Sequence, residues 1–234
     1  MNKKTIVLTF LFITSGIFYY QLVSTNERTT VFVARVIDGD TIELDSGQKL
    51  RLKGINTPEK SIIGYEEAKD FLKKLSENKS LNAEIMGIDK YGRGLSYIFI
   101  DNQNINEIIL EKGLGTLYYY EEDGYYKDLK NAEEIARKNE IGIWKKSPDA
   151  NCLELLELKE TENPKRCSND EILRIKNSCN KEINLIIKDE ATHIYHETIR
   201  PFNILTKNFS CIWNDAGDTL FVWDEKGLLM RYSY

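Results

Sequence analysis

The apolar positions change period several times along the chain. Val31, Phe32, Val33 and Val36 make one β-type run, Thr41 to Leu44 a second and Lys49 to Lys53 a third, with Asp45-Ser46-Gly47 as a hairpin turn between the last two. Ala68, Phe71, Leu72 and Leu75 then recur at i, i+3, i+4 and i+7, which predicts an amphipathic helix from near Gly64 to Asn78. Leu81 to Ile88 and Leu95 to Ile100 return to strand character, joined by Asp89-Lys90-Tyr91-Gly92-Arg93. Five strands with an inserted helix suit a small, partly open barrel. Ile105, Ile108 and Ile109, then Leu129, Ala132, Ile135 and Ala136, mark two further helices, the second closing at Gly142 and Trp144.

Beyond the barrel the pattern breaks twice. Residues 147–170, opened by Ser147-Pro148-Asp149 and punctuated by Glu162-Asn163-Pro164-Lys165, read as a charged linker in which Leu153, Leu155, Leu156 and Leu158 pack locally. From 171 to 234 the runs Ile172–Lys176, Ile183–Lys188, Tyr195–Ile199, Phe209–Trp213, Thr219–Trp223 and Leu228–Tyr234 predict a second unit, a β-sandwich. The class is mainly β with α, an α+β chain. At the other end, Lys3 and Lys4 precede an almost uncharged stretch from Thr5 to Val23, so residues 1–29 read as a signal peptide or a membrane anchor. Either places the remainder outside the cytoplasm.

Composition narrows the chemistry. With 32 Lys and Arg against 37 Asp and Glu, the net charge of −5 argues against a broad basic surface, so a nucleic-acid role requires a local basic pocket. The four cysteines, Cys152, Cys167, Cys179 and Cys211, all lie in the C-terminal third, and an even count in an exported chain points to disulfides, with Cys152 and Cys167 placed to close a small loop. Their wide spacing, and the position of His193 and His196 in a strand or loop, disfavour zinc. The run Leu117-Tyr118-Tyr119-Tyr120 offers aromatic faces for base stacking or for capping a core.

Three blocks carry a resemblance: Asp38-Gly39-Asp40-Thr41, then Arg51-Leu52-Lys53-Gly54-Ile55-Asn56-Thr57-Pro58-Glu59, then Asp89-Lys90-Tyr91-Gly92-Arg93-Gly94-Leu95. In order and spacing, residues 30–146 resemble the staphylococcal nuclease (thermonuclease) family. The resemblance implies an oligonucleotide-binding (OB) fold and a Ca2+-dependent phosphodiesterase acting on DNA and/or RNA, single-stranded or frayed. By matching motif positions it implies Asp40, Asn56 and Thr57 (through its carbonyl) as metal ligands. Arg51 and Arg93 would be the phosphate clamp, Glu59 the general base, and Lys90 and Tyr91 the residues beside the nucleotide, while Tyr119 of the tyrosine run is a further substrate-side candidate from its aromatic face.

The residue types suit those roles. Calcium is a hard cation that takes oxygen donors. Guanidinium groups meet crowded phosphate oxygens with bidentate hydrogen bonds, and a carboxylate can take a proton from an attacking water. Asn56 departs from the family, which carries a carboxylate there, so weaker metal binding is expected. Asp38 is placed to compensate through a bound water if Gly39 breaks the strand alternation. The connection from Glu59 to Gly64 is also shorter than the family's lysine-rich loop, which leaves DNA versus RNA preference open. The alternative is a noncatalytic nucleic-acid-binding module. Farther on, Ile172 to Asn177, Ile183-Asn184-Leu185, Asn214 to Leu220 and Asp224 to Gly227 resemble a lamin tail domain, an immunoglobulin-like sandwich. Gly217-Asp218-Thr219 echoes Gly39-Asp40-Thr41 but lacks the arginine and Pro-Glu blocks, and reads as a hairpin.

Overall fold

The computed structural model describes residues 28–60, 62–119, 121–159, 171–191, 193–210, 212–213 and 217–234. The N-terminal segment, Cys167, Cys211 and the later part of the expected linker lie outside them. Three strands, β1 (Thr29–Val36), β2 (Thr41–Leu44) and β3 (Lys49–Leu52), form an antiparallel meander, followed by the two-residue β4 (Ile55–Asn56). Helix α1 (Tyr65–Ser76) separates them from β5 (Lys79–Ile88), β6 (Gly94–Ile100) and the short β7 (Gln103–Asn104). Then come α2 (Ile105–Glu111), β8 (Thr116–Leu117) and α3 (Tyr126–Lys138).

The order β3-β2-β1-β5-β6 closes on itself because β3 also pairs with β6, in parallel, with Arg51 opposite Leu95. That closure makes the expected five-stranded OB-type barrel and leaves no free edge among these strands. Alternation fixes what lies inside: Val33, Ile42, Leu50, Leu52 and Ile98 are buried and share a core with Leu72 of α1, Ile109 of α2 and Leu129 of α3. The stripes of α1 and α2 face this cluster, and that of α3 does so through Leu129 and Ala132 while Ile135 is exposed.

The second unit has two sheets. One is β13 (Ile204–Phe209), β10 (Glu171–Asn177) and β9 (Leu153–Lys159); the other is β12 (Ile194–Ile199), β11 (Ile183–Lys188), β14 (Thr219–Asp224) and β15 (Gly227–Ser233). Leu173 and Ile175 from the first sheet and Leu185, Ile187, Leu220 and Val222 from the second bury into a common cluster, the arrangement of a sandwich. Three expectations are corrected here. The stretch read as linker contributes β9, in which Leu153, Leu155 and Leu158 pack on the sandwich core, with Leu155 opposite Ile175 and Leu158 opposite Leu173, while Leu156 and Glu154 are exposed. Phe209 ends a strand rather than starting one, because Ile204–Phe209 is an edge strand whose outward face carries polar residues. Cys152 bonds to Cys179, not to Cys167, joining the start of β9 to the turn after β10.

The two units share a smaller core. Ala136, Ile143 and Trp144 of the first pack on Phe221 and Trp223 of the second. The Trp223 indole donates to the Ile143 carbonyl at 2.9 Å, and Leu228 N and Ser147 N exchange hydrogen bonds with Lys145 O and Leu228 O.

Candidate active site

The site begins in the turn between β1 and β2. Ile37 N and Asp38 N both donate to Thr41 O, at 2.9 and 3.4 Å, and Asp40 N donates to the Asp38 carboxylate at 3.1 Å. Gly39 permits this: a Cβ there would lie 2.6 Å from Thr57 Oγ1 and 2.8 Å from Ala68 Cβ. The turn is thus pressed onto the Thr57 segment, and the Asp40 carboxylate is fixed from two sides. Its Oδ2 accepts from Thr57 N at 2.9 Å and from Thr57 Oγ1 at 3.0 Å, and its Oδ1 from Thr41 Oγ1 at 3.2 Å.

Arg51 enters from the neighbouring strand, opposite Thr41 in register. Its Nη1 donates to Leu52 O at 2.7 Å and Ile55 O at 2.9 Å, while Nη2 reaches Asn56 Oδ1 and Asp40 Oδ2, both at 3.2 Å. Asn56 is held by the pairing of β4 with β8 and is 6% exposed. Burial, and then the adjacent Asp40 charge, push the Asp38 carboxyl up to about 6. The Asp38 and Asp40 carboxylates and the Asn56 amide oxygen are donors of the type a hard divalent cation takes, with Arg51 Nη2 lying 3.2 Å from both Asp40 Oδ2 and Asn56 Oδ1. Among the described residues no group of three or more His, Cys, Asp or Glu side chains converges, so two carboxylates are the acidic complement of this site.

Of the remaining expected residues, Arg93 borders this cluster and Tyr119 lies away from it. Arg93 is tied to Asp89 by Nε at 2.7 Å and reaches Thr41 Oγ1 at 3.4 Å, so it borders the Asp40 turn. Tyr91 is exposed on the same hairpin, with Lys90 Nζ 5.1 Å and Arg93 Cζ 5.4 Å from its ring centroid. Glu59 stands exposed at the end of the Asn56-Thr57-Pro58 segment. Tyr119 joins a different network: its hydroxyl meets the Tyr97 hydroxyl and donates to the Asp123 carboxylate, and Lys53 Nζ donates to the same carboxylate at 2.6 Å. Burial raises the Tyr119 phenol well above its usual range and keeps it protonated. Its ring lines a cavity of about 410 Å³ between α3 and the second unit, together with Tyr126, Glu190, Phe221 and Arg231.

One group of neighbours has no signal in the sequence. The loop after β11 reaches Asn56, whose Nδ2 donates to Glu190 O at 3.3 Å and Ala191 O at 2.8 Å. Lys188, buried at the end of β11, lines a small apolar pocket with Asn56, Thr57 and Pro58. Burial lowers its pKa against the opposing pull of Asp189 and Glu59.

A closed five-stranded barrel with a carboxylate–guanidinium cluster at the β1–β2 turn defines the class as an OB-fold protein with a buried charged site. A profile of the family described as staphylococcal nuclease homologue matches residues 49–146. The thermonuclease of Staphylococcus hyicus is 34% identical over 152 residues, covering 59% of this chain and 90% of that protein. The thermonuclease of Staphylococcus intermedius is 32% identical over 126 residues, 49% of this chain and 75% of the relative. An uncharacterized endonuclease of Haemophilus influenzae is 32% identical over 149 residues, 62% and 80% respectively. The chain belongs to the staphylococcal nuclease family.

Proposed function

We propose that this protein is an extracytoplasmic, calcium-dependent nuclease that hydrolyses phosphodiester bonds of DNA and/or RNA. Nuclease chemistry at the family level rests on the relatives. The observation that carries the finer reading is the single hydrogen-bonded cluster of Asp40, Arg51, Asn56 and Thr57, bordered by Arg93 and by an exposed Glu59.

In this reading Asp40, Asn56 and the Thr57 carbonyl hold calcium, with Asp38 as an outer partner. The ion, when bound, supplies Lewis-acid polarisation of a phosphoryl oxygen. Arg51 and Arg93 hold the non-bridging oxygens from two strands and stabilise the charge that develops on them. Glu59, reachable by solvent, takes the proton of the attacking water. Lys90 and Tyr91 receive the neighbouring nucleotide on the exposed hairpin, and Tyr119 contributes its ring from the cavity side. Support for an oxidising compartment comes from the Cys152–Cys179 disulfide, since such bonds persist outside the cytosol. The apolar segment before residue 29 would deliver the chain there, either as a cleaved signal or as an anchor in the membrane.

A binding module without catalysis is the competing reading. It is favoured by one observation: both terminal amino groups of Arg51 are already committed to protein acceptors. Hydrolysis of single-stranded DNA and of RNA, with and without calcium, separates the two. Glu59→Gln is expected to slow calcium-stimulated cleavage by ~10²- to 10⁴-fold with little change in binding. Tight binding with no calcium-stimulated cleavage by the wild type would establish the module instead.

A further inference from the structure

Asn56 and the loop after β11 meet although 134 and 135 residues separate the partners. The chemistry of that contact is directional. A carbonyl oxygen only accepts, so Glu190 O and Ala191 O select the Nδ2 end of the Asn56 amide and leave Oδ1 toward Arg51 Nη2 and the Asp40 cluster. An aspartate has two equivalent oxygens and would set negative charge against both carbonyls. Asparagine is therefore the residue type this loop demands, and an amide at a cation site needs its oxygen end turned inward.

The loop is itself held on all sides. The buried Lys188 ammonium donates to Asp189 O at 2.9 Å and to Ala191 O, the same carbonyl that receives Asn56. Asp189 accepts from His193 N at 3.0 Å and meets His193 Nδ1 at 2.6 Å. Glu190 N donates to Asp218 Oδ1 at 3.1 Å. Behind it, the packing of Trp223 against Ile143 fixes the second unit on the first.

We propose that the 188–191 segment of the second unit is a positioning element of the nuclease site: it orients the Asn56 amide so that Oδ1 serves the cation, and Lys188 is the side chain that holds it in place. The inference rests on the calcium reading above and assigns the accessory sandwich a part in it.

The test is a double-substitution cycle in the full chain, reading calcium affinity by titration calorimetry and amide hydrogen exchange over residues 188–193. Lys188→Met is made with Asn56 and with Asn56→Asp. Removing the ammonium charge shifts calcium affinity in both backgrounds alike, so the ratio isolates orientation. Relative to its effect in the Asn56→Asp chain, Lys188→Met should weaken calcium binding by about two- to tenfold in the Asn56 chain, the worth of an ordinary hydrogen bond. Exchange at the loop should accelerate in both. A ratio of one overturns the proposal, because a merely structural lysine acts equally on either residue. If Lys188→Met does not fold, His193→Ala loosens the same loop from its half-exposed side and should give the same inequality, with the same ratio of one against it. Absence of calcium binding in the wild type overturns both this proposal and the calcium reading. The expected inequality without DNA or RNA cleavage supports the positioning role and overturns catalysis.

Discussion

Arg51→Lys separates the framing role seen in the structure from the phosphate contact proposed for the arginine. The Arg51 side chain is 12% exposed and spans four acceptors: two strand-end carbonyls through Nη1, and Asn56 Oδ1 and Asp40 Oδ2 through Nη2. A lysine ammonium keeps the charge but is one point rather than a planar fork, so it can serve one side of this array at a time. At least two acceptors lose their donor. Each buried acceptor left unpaired costs ~1–3 kcal/mol, so the expected loss is ~2–4 kcal/mol after partial hydration. For a chain of this size that lowers Tm by about 5–15 °C in a thermal melt followed by circular dichroism. Cleavage of single-stranded DNA should fall in parallel. A Tm within about 2 °C of wild type, with cleavage abolished, would refute the framing role and leave Arg51 as a phosphate ligand alone.

Other substitutions test other links. Gly54→Ala forces a side chain into a φ of +81°, with its Cβ 2.4 Å from Tyr119 Cε2 and 2.7 Å from Leu129 Cδ1. It should cost about 2–4 kcal/mol in a denaturant melt, through strain and overpacking. Without calcium, the Asp38 carboxyl near 6 binds its proton more tightly folded than unfolded. Its contribution is complete at acid pH and is lost as pH rises from about 4 through 6, a change of ~2 kcal/mol once discounted for partial exposure. Asp38→Asn should remove that fall, seen as the wild-type-minus-variant difference in stability across this window. Replacing Cys152 and Cys179 by serine opens a loop of 27 residues and should cost about 3.5 kcal/mol on the chain-entropy account, read from chemical denaturation.

The barrel was legible because its strands alternate and its helices keep a strict apolar stripe. Val33, Ile42 and Leu50 point inward wherever period two places them. The Asp40, Arg51, Asn56 and Thr57 cluster was legible for a related reason: its members lie within 17 residues, on a turn and strands whose register local chemistry sets. Edge strands were harder. In Leu153–Lys159 the exposed Glu154 lies on the strand's outward face, yet with Glu157 it gives the stretch the composition of a linker. Phe209 misled for the converse reason, since a lone aromatic marks where an edge strand dips into the core rather than where it starts. The contact of Asn56 with Ala191 left no trace, because a backbone acceptor has no residue type.

That last contact changes what the departure at position 56 means. Read alone, an asparagine in place of a carboxylate is a lost charge and a weaker ion. Read with the second unit in place, it is a donor that a carboxylate cannot supply, aimed at two carbonyls whose loop is pinned by a buried lysine and backed by an apolar interface. A cation bound there would meet less negative charge, but the geometry of the remaining oxygen is fixed from both sides, by Arg51 and by the loop. Ligand charge strengthens cation binding, and ordering a flexible ligand beforehand also strengthens it by lowering what must be frozen on binding. The two effects oppose each other at this position. It follows that Asn56→Asp is not a simple restoration here: the charge it adds comes with two unfavourable carboxylate–carbonyl contacts and a loosened loop. Its net effect on calcium affinity should therefore be smaller than the charge alone would give.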